Sequence, residues 1–284
     1  MTLETKLLGF LGPHGTFTEM AAHKLAANAT LFPYASISDV LDAVNEKKVD
    51  SGAVPIENSI EGSVNVTLDW LAHEGDLYII QEIVMPIEHN VLSYSSYLID
   101  KVKHIYSHPQ ALAQCRQFLR RMYPQALIHP VDSTAEAADF VAQKKDPTMI
   151  AIGNSLCGEQ YGLNIVETSI QDETENFTRF VEVGKSPKLR LQQEEGLPFK
   201  TSILVTLGEN KAGALYHVLE TFANHSLDLT KIESRPTRKT LGTYHFFIDF
   251  LNHYHTQESQ AAIQDITALG CSVKWLGSYQ SYVL

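Results

Sequence analysis

The stretch Thr174-Glu175-Asn176-Phe177-Thr178-Arg179-Phe180-Val181-Glu182-Val183-Gly184 places a hydroxyl donor, Thr178, beside a fixed cation, Arg179, in a run of β-forming residues. Upstream lie five polar turns with the same repertoire. They are Gly12-Pro13-His14-Gly15-Thr16, Glu57-Asn58-Ser59-Ile60-Glu61-Gly62-Ser63, Ser107-His108-Pro109-Gln110, Ser133-Thr134 and Gly153-Asn154-Ser155. Hydroxyls, amides and turn N–H groups at helix starts hold anions without a metal. A converging set of such turns around one hydroxyl would bind a small anion and give a hydrogen bond to an atom leaving it. The plain alternative for each turn is helix capping, and for the Thr178 stretch an ordinary strand.

The elements that must bring these turns together follow from periodicity. Short apolar runs at 7–11, 31–34, 51–56, 77–84, 104–106, 127–131, 149–152 and 163–167 read as strands. Most lead through a hydroxyl-rich turn into an amphipathic helix. Capping boxes stand at Thr16/Glu19 and Ser133/Glu136, Ser38 reads as a cap, and Pro109 suits a first helical position. One helix is expected to bury Leu112, Cys115, Leu119 and Met122, with Gln110 and Gln114 on one face at its start. Another is expected to start near Ser63. Strand, turn and helix repeated this way predict an α/β fold with a mostly parallel sheet and ligands beyond its carboxyl ends. The long extended passage 77–93 would cross between two lobes. Residues 185–199, with Pro187 and Pro198, read as a linker. The remaining chain alternates βαββαβ and is expected to end its last strand near Gly277, a ferredoxin-like arrangement. Gly213 stands at its first loop-to-helix entry.

Composition narrows the function. With 284 residues and a net charge of −11 without a basic run, neither nucleic acid nor an anionic membrane is expected as partner. No run is long and apolar enough to span a bilayer, and Met1 to Lys6 carries no leader-type apolar core, so a cytoplasmic protein is expected. Three scattered cysteines fit buried thiols, and the Asn-x-Thr matches at Asn28, Asn65 and Asn176 then have no role. The histidines form no metal pattern, His253-x-His255 falling in an expected surface loop. Dinucleotide and P-loop fingerprints are lacking, so neither metal nor cofactor is expected.

Four motifs, in order along nearly the whole chain, closely resemble the prephenate dehydratase family. They are Gly12-Pro13-x-Gly15-Thr16-Phe17-Thr18-Glu19, Val54-Pro55-Ile56-Glu57-Asn58-Ser59-x-Glu61-Gly62, Tyr106-Ser107-His108-Pro109-Gln110 with Gln114-Cys115, and Thr178-Arg179-Phe180. Gly213-Ala214-Leu215 and Glu233-Ser234-Arg235-Pro236 resemble the phenylalanine-binding motifs of the family's ACT regulatory domain. No mutase-like helical segment precedes the match, as in the monofunctional form. The resemblance implies a two-lobed, periplasmic-binding-protein-like catalytic domain over 4–184 with crossovers near 85 and 170, and an ACT domain over 200–284. It implies conversion of prephenate to phenylpyruvate without a cofactor, feedback inhibition by L-phenylalanine, and a homodimer or homotetramer. By the same resemblance Thr178 would donate to the leaving hydroxyl, Asn58, Ser107 and Gln114 would orient substrate, and Arg179 would meet a carboxylate. Glu57, Ser59, Thr16 and Gln110 would line the substrate site, with Glu57 equally open to a structural role. Gly213, Ala214, Leu215, Glu233, Ser234, Arg235 and Pro236 would hold the effector. Tyr216 stands where the regulatory motif more often has Val, and Ala212 where Pro is common, which leaves the effector's identity open. Regular alternation would turn Arg179 away from Thr178, so Arg179 could instead brace the site. Two other readings remain. One is arogenate as substrate, marked by an acidic partner for its amino group. The other is a solute-binding fold without chemistry.

Overall fold

The computed structural model describes residues 6–96, 101–187, 197–209 and 211–284. Most of the expected linker, 188–196, and Asn210 of the loop before Gly213 lie outside the described residues.

The first lobe contains β1 (Leu7–Leu11), α1 (Phe17–Leu25), β2 (Thr30–Tyr34), α2 (Ile37–Asn45), β3 (Ser51–Asn58), β4 (Gly62–Ser63), α3 (Asn65–His73) and β5 (Tyr78–Pro86). Thr16 caps α1 through the Glu19 N–H, and the Glu19 carboxylate accepts from the Gly15 N–H at 2.6 Å. The cap of α2 is Ser36, not Ser38, because Ser36 holds the extended backbone from which its hydroxyl accepts the Asp39 N–H. The helix expected near Ser63 begins at Asn65, without a side-chain cap.

The chain crosses once and builds a second lobe from β6 (Asn90–Ser93), β7 (His104–Ser107), α4 (Pro109–Gln114), α5 (Arg116–Met122), β8 (Leu127–Pro130), α6 (Thr134–Lys144), β9 (Met149–Gly153), α7 (Ser155–Tyr161) and β10 (Asn164–Glu167). The single helix expected after Pro109 is broken at Cys115, whose backbone leaves the helical region at φ −110 and ψ 15. Its apolar side chains still share one core, with Leu112, Cys115 and Leu119 packed together. A second crossing returns the chain to the first lobe as β11 (Phe177–Gly184), inserted between β3 and β5 and antiparallel to both. The sheets are therefore mixed rather than mostly parallel: β6 also runs antiparallel to β9 and β10. Hydrophobic runs mark strands but do not mark their direction, which here is set by the crossing.

The C-terminal domain follows as β12 (Phe199–Thr206), α8 (Ala214–Asn224), β13 (Leu229–Pro236), β14 (Tyr244–Leu251), α9 (Gln257–Ala268) and β15 (Ser272–Val283). The order is the expected βαββαβ. β15 does not stop near Gly277; its Ser281–Val283 end pairs in parallel with Glu82–Val84 of β5. The two sheets thereby become one, in the order β13-β14-β12-β15-β5-β11-β3-β1-β2. One apolar core spans the join, with Leu204, Phe247, Leu276 and Tyr279 packed among Val54, Trp70, Leu71 and Val181. Among the described residues no helix is long and apolar enough to cross a membrane.

Candidate active site

Between the two lobes lies a cleft of about 900 Å³, floored by β3 and β11 of the first lobe and faced by α4 and α6 of the second. Its lining includes Asn58, Ser63, His89, Gln110, Gln114 and Thr178. The cleft forms because β11 comes back antiparallel. Its beginning, Thr178, then lies opposite the end of β3, Asn58.

Asn58 fixes the chemistry of this pair. Its Nδ2 donates to Thr178 Oγ1 at 2.9 Å, to Asn176 Oδ1 at 2.8 Å and to the Phe177 carbonyl at 3.1 Å. Its Oδ1 accepts from the N–H groups of Ile60 and Glu61, each at 3.0 Å. These partners admit one orientation of the amide. Thr178 Oγ1 is thus an acceptor from protein, and its own proton is left to give. Asn176, which sequence reading passed over, is 1% exposed and supplies the acceptor that turns Asn58. Its only signal was a spacing of two from Thr178, which puts both on one face of an extended chain.

His89 was also missed. It is buried beside Phe17, and its Nε2 lies 2.8 Å from Gln114 Oε1. Burial lowers its pKa, and the Gln114 bond offsets only part of that, so the ring is neutral near pH 7. A neutral ring donating from Nε2 to Oε1 leaves the Gln114 NH2 group free to donate elsewhere. Gln110 follows Pro109 in the first turn of α4 and lines the same wall. Thr16 lines the cleft, but its hydroxyl is already committed, donating to the Leu11 carbonyl at 2.9 Å and accepting from Glu19.

Several expected site residues lie elsewhere. Ser107 is fully buried and donates to the Ile152 carbonyl at 2.7 Å, joining β7 to β9 instead of meeting the cleft. Ser59 closes a turn, donating to the Glu175 carbonyl and accepting from the Phe177 N–H. Arg179 and Glu57 both point away, as alternation along a strand requires. Arg179 pairs with Glu57 at 2.5 Å, Glu82 at 2.5 Å and Asp249 at 2.7 Å, and Glu57 also pairs with Lys231 at 2.8 Å. Burial alone would lower the Arg179 pKa, but Asp249 and Glu82 outweigh it and hold the guanidinium charged. Burial would raise Glu57, yet hydrogen bonds from Lys231 and Arg179 hold it below the usual carboxylate range. Neither residue is placed to touch a ligand in the cleft.

The cleft lining has no Lys or Arg among the described residues and includes Glu61, Asp132, Glu136 and Asp139. An anion there must be held by N–H and hydroxyl groups, as at the start of α4.

In the C-terminal domain Gly213 adopts φ 83 at the start of α8, a left-handed conformation that favours glycine, and Ala214 and Leu215 open the helix. Tyr216 is exposed and its hydroxyl donates to Glu220. The Glu233-Ser234-Arg235-Pro236 motif is split by β alternation. Glu233 accepts from the Ser63 hydroxyl at 2.9 Å, and Arg235 pairs with Asp69 at 2.7 Å and donates to Asn65 at 2.8 Å. Those two side chains grip the first lobe and are not free for an effector. Ser234 and Pro236 face outward and are exposed.

A family model described as prephenate dehydratase matches residues 8–188, and one described as ACT domain matches 201–267. The chain is 42% identical over 278 residues to a prephenate dehydratase of Lactococcus lactis subsp. lactis, covering 98% of each. It is 38% identical to a bifunctional chorismate mutase/prephenate dehydratase of Aquifex aeolicus, covering all of this chain and 76% of that one. Among solved structures, a prephenate dehydratase in complex with L-Phe from Arthrobacter aurescens superposes with a TM-score of 0.84 at 35% identity, covering 96% of this chain and 89% of that one. A prephenate dehydratase from Staphylococcus aureus superposes with a TM-score of 0.82 at 30% identity, covering 96% and 99%.

Proposed function

The chain belongs to the prephenate dehydratase family, decarboxylating lyases, and carries an ACT domain, and from that premise we propose that it converts prephenate to phenylpyruvate under feedback inhibition by L-phenylalanine. The observation that carries the reading is the Asn58-to-Thr178 hydrogen bond in the interlobe cleft. Prephenate loses its ring carboxylate as CO2. The electron pair of that bond moves through the ring and expels the hydroxyl at the opposite carbon, which leaves as water once protonated. Aromatisation drives the step, so the protein's task is alignment and support of the leaving oxygen. Thr178, held as an acceptor by Asn58, directs its own proton to that oxygen. A threonine hydroxyl is a weak acid, so its contribution is hydrogen-bond stabilisation as the charge develops. Gln114, turned by His89, and Gln110 with the N–H groups of the first turn of α4 orient the carboxylates.

In this reading the catalytic domain covers 4–184 and the regulatory domain 200–284, and the protein works in the cytoplasm as a homodimer or homotetramer. L-phenylalanine binds at the Gly213-Ala214-Leu215 entry and the outward face of β13 around Ser234 and Pro236. The acidic lining groups favour a second substrate, arogenate, whose amino group they would pair with.

The test is product formation from prephenate and from arogenate, with and without L-phenylalanine. Phenylpyruvate formation that L-phenylalanine suppresses is the expected result. Phenylalanine formed from arogenate at a higher kcat/KM would replace prephenate as the substrate. Turnover indifferent to L-phenylalanine would remove the feedback reading alone.

A further inference from the structure

The pairing of β11 with β3 is not uniform. Val181 opposes Val54 and Phe180 opposes Pro55, but Arg179 then opposes Glu57, leaving Ile56 unpaired in a β-bulge. Pro55 has no N–H for the ladder, and the Ile56 carbonyl turns instead to accept from the Val64 N–H at 3.0 Å. A one-residue slip exchanges the faces of a strand. Without the bulge Thr178 would oppose Glu57, and Asn58 would lie beyond it. The bulge is what sets Asn58 opposite Thr178 on the cleft side and Glu57 opposite Arg179 on the other.

That other side is closed by the C-terminal domain. Asp249 of β14 and Lys231 of β13 reach the Arg179–Glu57 pair directly. Lys231 also donates to Ser63, whose backbone opposes Glu57 across β3 and β4. Glu82 of β5 joins Arg179 to Lys200 of β12. The cluster holds three cations, Arg179, Lys200 and Lys231, against three carboxylates, Glu57, Glu82 and Asp249. It is neutral as a whole, and loss of any member leaves a poorly solvated charge.

We propose that Glu57 and Arg179 are positioning residues for the reaction: their ion pair, completed by Lys231 and Asp249 of the regulatory sheet, locks the bulge that aims Asn58 at Thr178. The ACT domain is then part of the support of the active site as well as a place for an effector. The inference rests on the reading of Thr178 as donor to the leaving oxygen.

The experiment is steady-state turnover of prephenate by the full chain carrying Arg179→Met, Arg179→Lys, Lys231→Met or Thr178→Ser, singly and with Arg179→Met combined with Thr178→Ser. Near-ultraviolet circular dichroism checks folding. Misplacing the donor should lower kcat about a hundredfold in Arg179→Met while KM changes by less than about threefold. Arg179→Lys should recover part of the loss, and Lys231→Met should cost roughly tenfold in kcat. The losses from Arg179→Met and Thr178→Ser should not multiply, because both act on one hydroxyl. A loss carried by KM would make Arg179 a substrate anchor and overturn the proposal. So would multiplying losses, or a kcat near that of the parent. Where Arg179→Met does not fold, Glu57→Gln with Lys231→Met removes one charge of each sign and must show the same fall in kcat at steady KM. Thr178→Ala separates the two readings: parental turnover there removes the donor role itself, whereas its loss beside an active Arg179→Met removes only the positioning role.

Discussion

At the scale of single residues, the site is a question of which hydrogen-bond donor faces which acceptor. Asn58 donates to Thr178, so Thr178 must give its proton outward, into the cleft. Thr178→Ala should therefore lower kcat by about two to three orders of magnitude, the range for loss of one donor to a developing anion. Thr178→Ser, which keeps the hydroxyl, should lose far less, and both should keep the parental circular dichroism spectrum. A KM that rises while kcat holds would instead mark Thr178 as a binding group only. That Thr178, Asn58, Gln110 and Gln114 belong together was expected from the family motifs that carry them and from the polar turns around them, and the structure brings all four to one cleft. Asn176 and His89 were not expected there. Their roles come from partners distant in sequence, Asn58 for the one and Gln114 for the other, and neither partner is visible until the crossings are known. Ser107 illustrates the converse: a hydroxyl at a strand end can satisfy a neighbouring carbonyl and never reach the ligand.

At the scale of elements, the helix starts at Thr16 and Ser133 were readable because capping is local, each accepting the N–H three residues on, whereas the α2 cap fell at Ser36 instead of Ser38 and α3 began without a side-chain cap. Strand direction and register were not readable, because they depend on which strands meet. The bulge at Ile56 and the antiparallel return of β11 both belong to this class. The same holds for β15, whose length comes from a second partner. Gly277 still pairs with Ser202 of β12, and there β15 already passes close against the backbone of Ile79 in β5, before its Ser281–Val283 end pairs with that strand. Gly277 has φ 145, and a Cβ there would lie 2.2 Å from the Ile79 carbonyl oxygen. Backbone cannot yield as a flexible side chain can. Gly277→Ala should destabilise the protein by roughly 2–4 kcal/mol. Thermal unfolding followed by circular dichroism reads this directly. A midpoint unchanged from the parent would mean that β15 does not sit on β5 in solution.

At the scale of the whole molecule, βαββαβ modularity suggests two units that fold separately, yet one sheet and one apolar core cross between them. The interface adds charges whose state depends on pH. Burial raises the Glu57 pKa, but Lys231 and Arg179 bring it below the usual carboxylate value. The Arg235 hydrogen bond does the same for Asp69, with burial opposing. A carboxyl whose folded pKa is depressed takes up fewer protons folded than unfolded. Its stabilisation is complete above the unfolded value, about 4 for such groups, and is lost as pH falls through the lower folded value. Among the described residues the ion-pair partners of Glu57 and Asp69 are on the C-terminal domain except Arg179, so the loss falls on the contact between domains. Scanning calorimetry at pH 7 should show one cooperative transition for the two domains together. Below about pH 4 the same scan should separate into two, as the domains lose their charged contacts while each keeps its own apolar interior. Two transitions already present at pH 7 would show that the shared sheet and core do not couple the domains. A single transition persisting into acid would assign that coupling to the apolar core and the β15–β5 pairing, with the ion pairs serving only to aim the side chains at the cleft.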